Sequence, residues 1–146
     1  MAILFKQLNS AQEMADYLND IVLSKQLSMP VLGLHGKTLI LGATTVTFAD
    51  ASGAGLSPAQ IVTQINAAVA GAASARNYGH AQSPGPQAQV AIVKATTVVQ
   101  NTGTANSILG FSTTAAVTVG ANAVAKADII AITSDAMGAR FTVVHE

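Results

Sequence analysis

Thr38-Leu39-Ile40-Leu41-Gly42-Ala43-Thr44-Thr45-Val46-Thr47-Phe48 is the stretch on which the fold turns. Two short runs rich in Thr and apolar residues flank Gly42-Ala43. A glycine at the first position of a two-residue turn accepts a positive φ without steric cost, so the spacing predicts an antiparallel hairpin. Asp50-Ala51-Ser52-Gly53-Ala54-Gly55 then reads as a loop. Ser57-Pro58-Ala59-Gln60 opens a helix, with Ser57 as cap, Pro58 at the first helical position and Gln60 closing a capping box. Ile61, Ile65, Ala68 and Val69 form its apolar stripe and Gly71 its end, which places the helix at about 57–70.

Working outward toward the N-terminus, Ser10-Ala11-Gln12-Glu13 fits a second capping box. Met14, Leu18, Ile21 and Val22 recur at helical spacing behind it, with Asp16, Asn19 and Asp20 opposite as a wet face. The pattern predicts a helix of about 14 residues that ends near Lys25, before Pro30. Toward the C-terminus, residues 72–87 lose all periodicity around Ser83-Pro84-Gly85-Pro86 and read as a flexible or partner-ordered loop. Strand character returns from Val90 to Gln100. Asn101-Thr102-Gly103-Thr104 turns the chain, and Ala105 to Leu109 forms a helical turn that ends at Gly110. Ala115 to Val119 reads as a strand, and Ile129–Thr133 with Ala139–Val144 as a last hairpin around Ser134–Gly138. The expected class is α+β: a mostly antiparallel β-sheet or sandwich with two amphipathic helices. It forms one domain over 1–146, with an N-terminal arm and helix in 1–25 and a β-rich body in 31–146.

Charge is scarce throughout. Seven Lys+Arg balance seven Asp+Glu among 146 residues, so the net charge is zero and charged residues make up 10%. An ordinary soluble domain carries about 25%. Mean hydropathy is +0.44 although aromatic residues are only 4%, so Ala, Val, Ile and Leu supply the apolarity. A neutral chain without a basic cluster is a poor partner for nucleic acid or an anionic membrane. The uncharged stretches Ala51–Ala75 and Ala95–Ala125 are interrupted by Ser, Thr, Asn, Gln and Gly and do not read as membrane spans. No targeting segment is visible at Met1–Lys6. The absence of Cys excludes disulfides, thiolate metal sites and cysteine nucleophiles.

Chemistry-bearing patterns are few. Gly36-Lys37-Thr38 lacks the earlier glycine of a phosphate loop, since Val31 stands there, and leads into a strand where that loop needs a helix. His35, His80 and His145 have no second ligand at metal-binding spacing. Glu13, Asp16 and Asp20 read as one solvated helix face, while Asp50, Asp128 and Asp135 read as turn formers. No Gly-x-Ser-x-Gly elbow is present. No catalytic, cofactor-binding or metal residue is therefore assigned, no cofactor is expected, and the chain is not expected to be an enzyme. Met14, Met29, Met137 and the phenylalanines read as core or hairpin fillers. Ile3-Leu4-Phe5 admits two readings, a staple on the first helical turn or an arm inserted into a neighbour. The candidate interface residues are Ile3, Leu4, Phe5, Tyr78, His80, Pro84, Pro86 and Phe111.

The order of elements carries a resemblance. Thr44-Thr45-Val46-Thr47-Phe48, the Gly-rich loop, Leu56-Ser57-Pro58-Ala59-Gln60-Ile61-Val62-Thr63-Gln64-Ile65-Asn66-Ala67-Ala68 and Asn101–Phe111, which ends in Leu109-Gly110-Phe111, follow one another from Lys37 to Thr114. This arrangement resembles a module of tailed-bacteriophage virion proteins and, more distantly, of flagellar hook-associated proteins. The residues between 72 and 87 separate its helix from Leu-Gly-Phe. The resemblance implies a structural subunit of the virion, made in the bacterial cytoplasm. The expected role is a head decoration or cement protein on the capsid surface. Its partners would be copies of itself, with a trimer preferred, and the major capsid protein. The alternatives are a tail tube, baseplate or fibre-adaptor subunit in contact with other tail proteins, or a small ligand-binding module. Low charge fits contact-rich subunits independently, because every charge buried at an interface needs a partner.

Overall fold

The computed structural model describes residues 4–8, 11–76, 89–121, 123 and 141–145. Among these the chain is α+β, with antiparallel sheets and three helices. Strand β1 (Leu4–Leu8) pairs with β9 (Phe141–His145), with Leu4 opposite His145. Strand β2 (Val22–Leu23) lies on β6 (Gln89–Ile92), which also pairs with β5 (Ala73–Arg76), giving the order β2-β6-β5. Strands β3 (Thr38–Leu41), β4 (Thr44–Thr47), β7 (Val98–Val99) and β8 (Val117–Thr118) form the order β4-β3-β7-β8.

The β3–β4 hairpin forms where the sequence predicts it, with Leu41 opposite Thr44 and Gly42 at φ +61°. Helix α2 (Pro58–Ala68) carries the expected capping box: Gln60 N–H donates to Ser57 Oγ at 3.2 Å, and Ser57 N–H donates to Gln60 Oε1 at 2.8 Å. It buries Ile61 and Ile65 against both sheets. Of the remaining stripe residues Val69 is half-buried against the core, whereas Ala68 is exposed. Helix α3 (Asn106–Leu109) ends on Gly110 at φ +83°, as the turn reading requires. Leu39, Leu41, Val46 and Val99 of one sheet meet Ala73, Val90 and Ile92 of the other in a core that Phe48, Leu56, Leu109 and Phe111 complete.

Four expectations are corrected. Helix α1 spans only Ala11–Leu18, because Asp20 takes the left-handed conformation at φ +53°. Asp20 N–H donates to the Tyr17 carbonyl and Ile21 N–H to the Asp16 carbonyl, a Schellman ending that turns Val22–Leu23 into a strand. The proposed loop at 72–87 begins with strand β5, held by Ala73 opposite Ile92 and Arg76 opposite Gln89. The strand proposed from Val90 to Gln100 is two strands, since Thr96 at φ +62° turns the chain between β6 and β7. The helical turn expected over Ala105–Leu109 is present as α3, but the strand expected at Ala115–Val119 is confined to Val117–Thr118. The Ser10 cap and the Ile129–Thr133 half of the last hairpin lie outside the described residues.

Candidate interaction surface

The candidate interface residues fall into three groups. Leu4 and Phe5 belong to β1, whose backbone is annealed to β9 of the same chain rather than extended as a free arm. Ile3, Tyr78, His80, Pro84 and Pro86 lie outside the described residues. Phe111 is a correction, because it is only 4% exposed and belongs to the core. Its neighbours explain this. Gly110 is both the left-handed cap of α3 and a point of close approach, where an added Cβ would stand 2.7 Å from Lys25 Cβ. Lys25 N–H donates to the Leu109 carbonyl at 3.0 Å, so Leu109-Gly110-Phe111 packs the helix end onto residue 25.

The asparagines of the quoted stretches are also structural. Asn66 donates from Nδ2 to the Ala73 carbonyl at 3.0 Å and accepts from Ala73 N–H at 2.8 Å, imitating a strand partner. Asn106 is fully buried and donates to the carbonyls of Gln100 (2.7 Å) and Ser112 (2.8 Å). Gln64 repeats the device, accepting from Ala49 N–H and donating to the Ala49 carbonyl.

The ionisable groups are engaged in a similar way. Asp16, expected on a wet face, is 3% exposed and receives Arg76 Nε at 2.7 Å. Arg76 also donates to Ser74 Oγ. Asn19, expected on the same wet face, is buried as well. Asp50 is the turn former its position suggests, accepting from Gly53 N–H, Gly55 N–H and the Ser52 hydroxyl. His35 Nδ1 accepts from Asp50 N–H at 3.0 Å. Lys37 follows Gly36 at the start of the hairpin, and Phe48 N–H donates to its carbonyl. Among the described residues no group of three or more His, Cys, Asp or Glu side chains could hold a metal ion. No helix among them is long and apolar enough to cross a membrane.

What the surface offers instead is apolar. Val31 exchanges two backbone hydrogen bonds with Leu56, and Val31 and Leu34 turn inward. Met29 and Leu32 point outward, 44% and 62% exposed. Met29 is thus no core filler. The ridge is pinned from behind, because Gly55 leaves room for Pro30 where a Cβ would come within 2.6 Å of the proline ring. A shallow groove of about 370 Å³ runs beside it past Leu27, Ser28 and Ile108. A second groove, about 540 Å³, lies between β2 and β8 and is lined by Ile21, Val22, Phe111 and Val117. Sequence reasoning missed the ridge. No periodic signal marks it, because the inward positions Val31 and Leu34 are three residues apart and Pro30 and Gly33 stand between the apolar residues.

Compared with known protein families, curated proteins and solved structures, the chain shows no significant match.

Proposed function

We propose that this chain is a non-enzymatic structural subunit of a tailed-bacteriophage virion, a head decoration or cement protein that adds contact area across seams between capsid subunits. The observation that carries the reading is the Met29–Leu32 ridge on a body almost without charge. Exposed apolar surface on a rigid, neutral frame gains free energy when covered, at roughly 25 cal/mol per Å² of apolar area. The ionisable groups at Asp16, Arg76 and Asp50 are consumed in holding the fold, which leaves little for acid–base chemistry. The amide-clamped helix and the Leu-Gly-Phe turn give the resembling stretch a structural role in its own right. The subunit acts as a homo-oligomer and meets the major capsid protein.

Electron micrographs of purified particles labelled with gold against this chain test the proposal. Label on heads is expected. Label confined to tails moves the chain to a tube, baseplate or fibre-adaptor role. Particles without the chain remove the virion reading altogether and leave a small binding module, with the two grooves as its candidate sites.

A further inference from the structure

Every open sheet has two edges, and in this fold they differ. The edges at β2 and β8 are two residues long, and that at β5 carries the Arg76 charge and is met by Asn66. The β1–β9 pair is a separate two-stranded sheet, and the β4 edge, four residues long, is uncharged and bare among the described residues. Pairing of β3 with β4 places Phe48 N–H on the Lys37 carbonyl, so the ladder bonds fall at Phe48, Val46 and Thr44. Thr45 and Thr47 therefore turn their N–H and C=O groups away from β3. Among the described residues neither has a hydrogen-bond partner on that side, and both are exposed. No Lys, Arg, Asp, Glu or Pro occurs between Thr38 and Ala49, although edges of this kind are ordinarily guarded by such residues.

We propose that β4 is the contact surface for a second copy of this chain, paired antiparallel about a two-fold axis through Val46. The outward groups are symmetric about that residue. In this register Thr45 lies opposite Thr47 of the second copy, and each such pair exchanges both its N–H and its C=O. Facing threonines are a favourable cross-strand pair. Asp50 falls opposite the Gly42 turn of the other copy with its carboxylate already satisfied by its own loop, so no like charges meet. A neutral, self-complementary edge favours its own copy over a charged peptide, which would find no counter-charge here. The contact closes on itself, consumes both edges and extends each four-stranded sheet into a continuous one. It yields a dimer and not the trimer that threefold capsid positions suggest, and it holds whether or not the chain belongs to a virion.

The chain has no cysteine, so introduced thiols report register directly. Directly opposite residues of a hydrogen-bonded pair stand about 5.5 Å apart between Cα atoms, within disulfide reach, whereas diagonal ones stand at about 7–8 Å. Mixed Thr45→Cys and Thr47→Cys chains should therefore cross-link on mild oxidation far more than either chain alone. Thr45→Lys/Thr47→Lys sets lysines opposite lysines through exposed side chains and should weaken the dimer about tenfold in sedimentation equilibrium. Ala67→Lys/Ala68→Lys, with the same added charge on exposed helix positions, should leave it unchanged. Equal cross-linking of mixed and single chains overturns the proposal. So does an oligomer indifferent to the β4 lysines, or a chain that is monomeric at every concentration. If the lysine variant loses its fold by circular dichroism, the cysteine result decides alone.

Discussion

Helix α2 is held to its neighbours by two neutral side-chain amides, whereas α1 is held by a guanidinium and a carboxylate. In α2, Gln64 forms two hydrogen bonds with Ala49, 15 residues away, and Asn66 forms two with Ala73, 7 residues away. In α1, Asp16 meets Arg76 across 60 residues of chain. The neutral fastenings stay within one supersecondary unit and need no charge to be brought out of water. The charged one ties a short helix to a distant strand, and it rests on desolvated groups that must remain paired. A chain with so few ionisable residues thus spends two of them internally, and its exterior becomes correspondingly poorer in charge.

Several substitutions break or sharpen this contrast. The largest effect is expected at the charged clamp. Asp16→Ala strands a mostly buried guanidinium and should cost about 3 kcal/mol in urea denaturation, while Asp16→Leu/Arg76→Met should recover most of that loss. A double variant no better than Asp16→Ala would show that the charge pair is not what holds α1. Next comes Asn66→Ala, which leaves Ala73 N–H and C=O unpartnered. About 2 kcal/mol is expected, with the effect unchanged between low and high salt because no ion is involved. Ser57→Ala removes only the cap of α2 and should cost about 1 kcal/mol, read as a lower melting temperature. The smallest change in stability is expected at the ridge. Leu32→Asp should alter unfolding by less than about 0.5 kcal/mol, since the side chain already faces water. If the chain is the decoration subunit proposed above, the substitution should nevertheless reduce its occupancy on capsids, and undiminished occupancy would detach the ridge from that role.

The same two helices show what the sequence makes legible. Ser57, Pro58 and Gln60 announce α2 because capping chemistry is local, and the hairpin before it is announced by Gly42 for the same reason. Ile21 and Val22 mislead because the first residues after α1 happen to continue its apolar spacing. The stop signal is Asn19-Asp20, a pair tolerant of the left-handed conformation, which is as easily taken for a polar helix face. Arg76 was invisible as a partner for Asp16, since nothing near either residue encodes a contact made across the fold. Strand β5 escapes detection because Ala73-Ser74-Ala75-Arg76 has little β propensity and is set in place by Asn66 and by β6. Of the surface, the sequence shows its poverty in charge but not that Met29 and Leu32 face outward while Val31 and Leu34 turn in.

The central proposal is that this chain covers its charge-poor exterior against other protein surfaces. Light scattering of the purified intact chain across a wide concentration range tests it most directly. The account predicts a mass that is a multiple of 14.7 kDa and is nearly insensitive to salt, because apolar and backbone contacts are not screened. A single species of 14.7 kDa at the highest concentration, at every ionic strength, would contradict it.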